Sequence, residues 1–205
     1  MDAEASAGGS FLERLGAWAF RQRSWTPVPL ALILIGVRWK WVRVPWVFAL
    51  GVAVVLAGLG IRYWGVSHIG TISRTRAARF GPLMTAGPFA LVRNPLYVGN
   101  FLIWIGFVTS SGLMWMLPIA WAIFALQYSA IVRFEEAGLI RHFGEGYEAY
   151  ARDVPRWSLN LGRLGIALST RGPHGWREVC FSERGTLVAA AVMTLLLLAR
   201  YLWLA

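Results

Sequence analysis

Two short stretches hold the residues whose types and spacing can do chemistry. The first is Gly87-Pro88-Phe89-Ala90-Leu91-Val92-Arg93-Asn94-Pro95-Leu96-Tyr97. The second is Arg133-Phe134-Glu135-Glu136, followed by Phe143-Gly144, Tyr147 and Tyr150. Between Glu13 and Glu135 the chain contains no Asp or Glu, and two carboxylates then stand side by side at the end of an apolar run. Ionisable groups in that position are costly and mark function. The planar fork of Arg93 suits a carboxylate. Glu135 and Glu136 suit a ligand with hydroxyls and positive charge, and Tyr97, Tyr147 and Tyr150 offer aromatic faces to a purine or a cation. Gly87-Pro88 and Asn94-Pro95 force the backbone out of helix, so that Val92, Arg93 and Asn94 can present polar groups to a pocket. A zwitterionic, nucleotide-like ligand carrying a sulfonium meets all of these demands together. Arg133 lies three residues before Glu136 on one helical face, placed to orient that carboxylate or a substrate anion.

The elements that must position these residues are apolar. Of 205 residues 57% are hydrophobic, 12 are Trp and only 15% are charged, which excludes a disordered or ordinary soluble protein and predicts an all-α polytopic membrane protein. The net charge of +10 is carried almost wholly by Arg that cluster between apolar runs, so an anionic lipid leaflet, not nucleic acid, is the expected partner. One cysteine, Cys180, allows no intramolecular disulfide, and no Cys/His cluster has structural-zinc spacing; no metal is expected. Residues 1–10 lack the basic start and apolar run of a cleaved signal peptide.

In order, residues 11–25 read as an amphipathic interfacial segment. Pro27 to Val42 is a short first span ending near Arg38 and Lys40, with Trp25, Trp39 and Trp41 at headgroup level. Pro45 to Trp64 is a clearer span with small residues for close helix contact. Gly65 to Pro95 is a long basic connection. Leu96 to Thr109 and Leu113 to Val132 form a helical hairpin turned at Ser110-Ser111-Gly112, with Pro118 placed to kink its second arm. Glu135 to Arg152 has helical spacing that Val154-Pro155 stops. A linker follows, then a final span from Gly185 to Leu204, with Arg200 able to snorkel to the far surface. The division is thus 1–25 interfacial, 26–157 core, 158–184 polar linker and 185–205 an additional helix that could serve homo-oligomerisation. This gives about five transmembrane helices, with the pocket at the cytosolic face.

Orientation follows the Arg/Lys bias. Placing residues 65–95 and 134–185 in the cytoplasm puts eleven Arg there, and the N-terminal segment adds three more. The connection at 38–43, with Arg38, Lys40 and Arg43, is then outside and violates the rule. Both motif stretches emerge on one side, brought together by the hairpin between them.

The pair "GPFALVRNPLYVGN" and "RFEEAGLIRHFGEGYEAYARDVPRW" resembles the integral-membrane methyltransferase superfamily, which includes isoprenylcysteine carboxyl methyltransferase and phosphatidylethanolamine N-methyltransferase. The resemblance covers Gly87 to Trp157, about a third of the chain. It implies S-adenosylmethionine bound on the cytosolic side, partly enclosed by the C-terminal segment, and a lipophilic acceptor entering from the bilayer. By position it assigns the Gly-Pro-aromatic turn to Gly87, Pro88 and Phe89, and the Arg-His-Pro-x-Tyr motif to Arg93, Asn94, Pro95 and Tyr97. It assigns the acidic pair to Glu135 and Glu136, and the closing aromatics to Phe143, Tyr147 and Tyr150. Two departures stand out: Asn94 in place of the usual His, and Phe89 in place of the common Tyr. The implied cofactor contacts are Gly87, Pro88, Phe89, Val92, Arg93, Asn94, Tyr97, Glu135, Glu136, Tyr147 and Tyr150, with Arg133 and Glu136 in the catalytic role.

The expected function is methyl transfer from S-adenosylmethionine to a prenylated carboxylate, a phospholipid amine or another small lipid, in a prokaryotic inner or plasma membrane. The alternative is a non-catalytic carrier or assembly protein on the same scaffold. The polar blocks sit at span ends and no repeat or midplane-broken span is visible, which favours the enzyme over a transporter.

Overall fold

The computed structural model describes residues 11–37, 44–70 and 81–203. The N-terminal ten residues, the basic positions of the 38–43 connection, and Arg74, Arg76 and Arg79 lie outside them. Among the described residues the chain is all-helical: α1 (Phe11–Gln22), α2 (Pro27–Gly36), α3 (Pro45–Ile69), α4 (Pro95–Ser111), α5 (Met116–Phe143), α6 (Glu145–Asp153), α7 (Leu164–Ser169) and α8 (Trp176–Trp203), with 3-10 turns at Gly87–Ala90 and Leu161–Arg163. Three of these described helices, α3, α5 and α8, are long and apolar enough to cross a membrane.

The closest packing joins α3 to α4. A seam of small residues permits it. A Cβ on Gly58 would stand 2.6 Å from the Gly99 carbonyl oxygen, and one on Gly106 would stand 2.7 Å from that of Gly51. Where lipid tails are as apolar as side chains, helices gain their adhesion from backbones approaching closely. The hairpin between α4 and α5 turns at Gly112, whose φ of 76° is left-handed and open to glycine. Pro118 falls in the first turn of α5, where its missing N–H has no helical acceptor to leave unpaired, so no kink is needed there.

The N-terminal segment is not a separate lead-in. Helix α1 packs along α5, with a Cβ on Gly16 only 2.7 Å from both the Ala130 carbonyl oxygen and Phe134 Cβ. At the break into α2 the Thr26 hydroxyl accepts from Gln127 Nε2 at 2.8 Å. Helix α2 then runs to the hairpin end of the bundle, where Leu30 and Leu34 join a core with Trp104, Val108, Leu113, Phe124 and Leu197. Arg200 is expected to snorkel outward; instead its guanidinium donates to the carbonyls of Ser111 and Val37, tying α8, α4 and α2 at that end. Helix α8 begins at Trp176, nine residues before the apolar run itself.

Replacing Gly58 or Gly99 by Val should destabilise the α3–α4 pair by about 1–3 kcal/mol through overpacking. Denaturant titration of the purified protein should show the loss, with Gly60→Val, which meets open space, close to the parent.

Candidate active site at the end of the hairpin

At the α5 terminus the helical twist divides the two acidic neighbours. Consecutive residues on a helix are about 100° apart, so Glu135 and Glu136 face different partners.

Glu136 is buried and accepts from two arginines. Arg93 Nη1 lies 2.9 Å from its Oε1, Arg156 Nε lies 3.1 Å from the same oxygen, and Arg156 Nη2 binds Oε2. A carboxylate removed from water is stable only when so paired. Hydrogen bonding to Glu136 raises the Arg156 guanidinium further above its ordinary value. Arg133, expected to orient Glu136, is exposed instead; the long-range pairs with Arg93 and Arg156 take that place. Arg93 Nε is buried and has no hydrogen-bond partner. Tyr147 is buried at this cluster, and burial, reinforced by the Glu136 charge, pushes its phenol up to about 12. Burial also raises the Tyr150 phenol, with Tyr147 next to it adding to the shift.

Glu135 instead accepts the Tyr97 hydroxyl at 2.7 Å. The Tyr97 ring meets Tyr128 edge-on at 4.8 Å between centroids. Tyr128 in turn accepts from Asn100 Nδ2 at 3.0 Å.

The turn that carries Arg93 is held from outside by residues 150–170. Gly87 has a φ of 58°, and a Cβ there would meet the His68 ring at 2.2 Å. Its N–H donates to Thr170 Oγ1 at 2.9 Å, and the Phe89 carbonyl accepts the Tyr150 hydroxyl at 2.8 Å. The Leu91 carbonyl accepts Asn160 N–H at 2.8 Å, and Arg93 N–H donates to the Pro155 carbonyl at 3.0 Å. Asn94 Nδ2 donates to the Arg156 carbonyl at 3.2 Å. Val92, Gly87 and Pro88 are buried beneath these contacts, and Phe89 is half-buried. Ala167 of α7 closes on Ala90 and Leu91.

The structure therefore brings Arg93, Glu136, Tyr147 and Tyr150 together. It places Tyr97 and Glu135 in an adjoining cluster and uses Asn94 to hold the strap. Sequence reasoning missed Arg156, Arg62, Asn100, Tyr128 and Glu183. Arg62 donates from Nε and Nη2 to the two oxygens of Glu183, both at 2.8 Å, and from Nη1 to Asn100 Oδ1 at 2.7 Å. A signal did exist: extending the last helix back from Gly185 places Glu183 about two turns before Ala190 and about three before Met193, on the same face. Among the described residues no group of three or more His, Cys, Asp or Glu gathers as metal ligands.

Residues 46–146, just under half of the chain, match the phospholipid methyltransferase family, in agreement with the resemblance of the two motif stretches to integral-membrane methyltransferases. This match and the three apolar helices α3, α5 and α8 support an integral membrane protein. The chain is 31% identical over 150 residues to the nickel-cobalt-cadmium resistance protein NccN of Alcaligenes xylosoxydans xylosoxydans, covering 71% of this chain and 65% of that protein. It is 34% identical over 146 residues to the cobalt-zinc-cadmium resistance protein CzcN of Cupriavidus metallidurans, covering 69% of this chain and 62% of that protein. It thus spans somewhat less than two thirds of the length of each. No solved structure matches.

Replacing Glu136 by Ala leaves Arg93 buried without its carboxylate and should cost about 3 kcal/mol. Limited proteolysis should then cut residues 157–175 faster, because the Arg156 anchor of the strap is lost. Tyr150→Phe, which deletes one hydrogen bond, should produce a smaller increase of the same kind.

Proposed function

We propose that the protein transfers a methyl group from S-adenosylmethionine to a lipophilic acceptor. The observation that carries this reading is the Arg93–Glu136–Arg156 cluster, built from the two motif stretches and the strap that follows them. Two guanidiniums and one carboxylate leave it a net positive charge, and the unpaired Arg93 Nε is a donor still to be used. Both features fit the carboxylate of an amino-acid moiety. The Tyr147 and Tyr150 rings, neutral at physiological pH, add aromatic faces for an adenine or a sulfonium. Arg93, Arg156, Tyr147 and Tyr150 would hold the cofactor, with Gly87 to Asn94 forming its floor and Glu135 and Tyr97 standing on the acceptor side.

S-adenosylmethionine, when bound, supplies an electrophilic methyl group on a positively charged sulfur. The protein's own residues then have little covalent work. They position, exclude water and hold charge, and positioning with desolvation can supply much of the rate. The strap of residues 150–170 is suited to excluding water from the turn. Glu136 keeps Arg93 in place and is itself fully occupied, so it acts as a positioning residue.

We count five crossings: α1 and α2 as one broken path, then α3, α4, α5 and α8. The Arg excess around the two motif stretches supports a cytoplasmic face for the cluster in a prokaryotic inner membrane, against anionic lipid headgroups. The exposed face of α8, with Val188 and Leu195, is where a second copy would dock. Both relatives are named for resistance to metal cations. For this chain we propose that methylating a membrane amphiphile, and so altering the head that faces such cations, is the connection.

Calorimetric titration with S-adenosylhomocysteine tests the reading. Saturable binding is expected in the parent, with loss of about tenfold or more in Arg93→Ala, since a charge-assisted contact is removed. Asn94→His should bind as the parent does. A folded parent that binds nothing, in detergent and again in nanodiscs, would return the protein to the carrier or assembly reading.

A further inference from the structure

Residues 158–184 read as a polar linker, yet in their first part the side chains are arranged inside out. The polar groups turn towards the protein: the Asn160 N–H donates to the Leu91 carbonyl, and Thr170 Oγ1 accepts from the Gly87 N–H. Helix α7 buries its alanine, Ala167, and keeps its larger apolar residues outside. Leu159, Leu161, Leu164, Ile166 and Leu168 are all exposed, Leu161 and Leu168 to 66% and 68%. Single exposed apolar residues are ordinary. Five within ten residues of one segment form a patch that needs a cover.

Depth in the membrane identifies that cover. The Arg62–Glu183 pair marks one level across α3 and α8. Trp46 lies sixteen residues before Arg62 and Trp203 twenty after Glu183, about 24 and 30 Å towards the hairpin turn at about 1.5 Å per residue. Both rings are exposed, as interfacial anchors are, and mark the far surface of the hydrocarbon layer. That layer is about 30 Å thick, so its near surface falls between the level of the pair and about 6 Å beyond it. Trp64, two residues beyond Arg62, packs against Ala90, Leu91 and Ala167. Helix α7 therefore lies at the boundary between acyl chains and headgroups. Trp176, seven residues before Glu183, stands about 10 Å beyond the pair, in the headgroup layer.

Charge selects the same partner. Between Asp153 and Glu178 there is no Asp or Glu, whereas Arg156, Arg163, Arg171 and Arg177 all fall there. Arg156 is held by Glu136 and Arg163 by Asp153. Arg171 and Arg177 are exposed, and the Arg177 guanidinium lies over the Trp176 ring, 5.3 Å from its centroid. Apolar side chains at the acyl boundary, with arginines beside them at headgroup level, complement a leaflet that contains anionic lipid. A water-soluble protein does not reach that depth, and a second copy would bring the same arginines together.

We propose that the outward face of residues 159–168 is inserted in the leaflet at the end of the bundle that carries the two motif stretches. Bilayer and turn then grip the strap from opposite sides. This anchor needs no bound cofactor and is independent of the methyltransferase reading. Full-length protein carrying Cys180→Ser and a spin label at Leu168→Cys, in nanodiscs of phosphatidylcholine and phosphatidylglycerol, tests it by power-saturation electron paramagnetic resonance. The label should collide several-fold more with oxygen, which concentrates among acyl chains, than with a water-soluble nickel chelate. A label at Glu148→Cys, on an exposed position of α6, should show the reverse preference. A label at position 168 as open to the chelate as the one at 148 overturns the proposal. So does a label at 168 shielded from both reagents, the sign of a protein partner or a second copy. Leu164→Ser/Leu168→Ser leaves the Ala167 packing and the hydrogen bonds to the turn in place. In nanodiscs this variant should be cut several-fold faster within residues 157–171 by limited proteolysis, and an unchanged rate overturns the grip by the bilayer.

Discussion

A buried carboxylate gripped by two guanidiniums organises the motif end of this protein. Glu136 sits near the end of α5, Arg93 in the turn before α4 and Arg156 beyond α6, so one side chain joins three segments that are far apart in sequence. Each charge would be costly alone and is acceptable only in company, which makes the three-way contact an all-or-none arrangement. The chain can form it because Gly144, with φ of 53°, turns sharply out of α5 and sends α6 back towards the 87–94 turn. With Arg156 docked, Pro155, Asn160 and Thr170 hydrogen-bond in turn to Arg93, Leu91 and Gly87, and Tyr150 of α6 reaches Phe89 between them. The cluster and the strap are therefore one structure, not a site with a cover added.

Much of this was legible in the sequence wherever the signal was local. The uncharged run before Arg62 is α3, the Ser-Ser-Gly turn closes α4, and Val154-Pro155 ends α6 one residue after Asp153. The motif residues Arg93, Glu136, Tyr147 and Tyr150 do converge. What failed was non-local. Helical spacing puts Arg133 on the Glu136 face, but two better placed guanidiniums arrive from elsewhere in the chain, and no periodicity can announce them. Glu183 and Arg184 made the last apolar run appear to begin at Gly185. The helix instead starts at Trp176, because Glu183 finds Arg62 across the bundle and need not remain in water. The Phe, Leu, Trp and Arg of residues 11–25 read as an interfacial pattern, yet the deciding contact is a missing side chain. Gly16 lets α1 lie against Ala130 and Phe134.

The adjacency of Glu135 and Glu136 has a geometric consequence for a reaction between a polar and an apolar partner. Neighbours on a helix cannot share a face. One carboxylate therefore looks to the arginine cluster, where Arg156 is partly open to water, and the other looks into the bundle. From Glu135 the contacts run inward through Tyr97, Tyr128 and Asn100 to Arg62 and Glu183. On the proposed methyltransferase reading, a water-soluble cofactor and a lipophilic acceptor would need separate approaches and one place to meet. A single helical turn near the end of α5, bearing two acidic residues in succession, stands between the arginine cluster on one side and the interior of the bundle on the other. On that reading two acids, and not one, are needed at the end of α5. On the proposed reading each would anchor a different half of the site, and the helix between them would set how closely the halves approach.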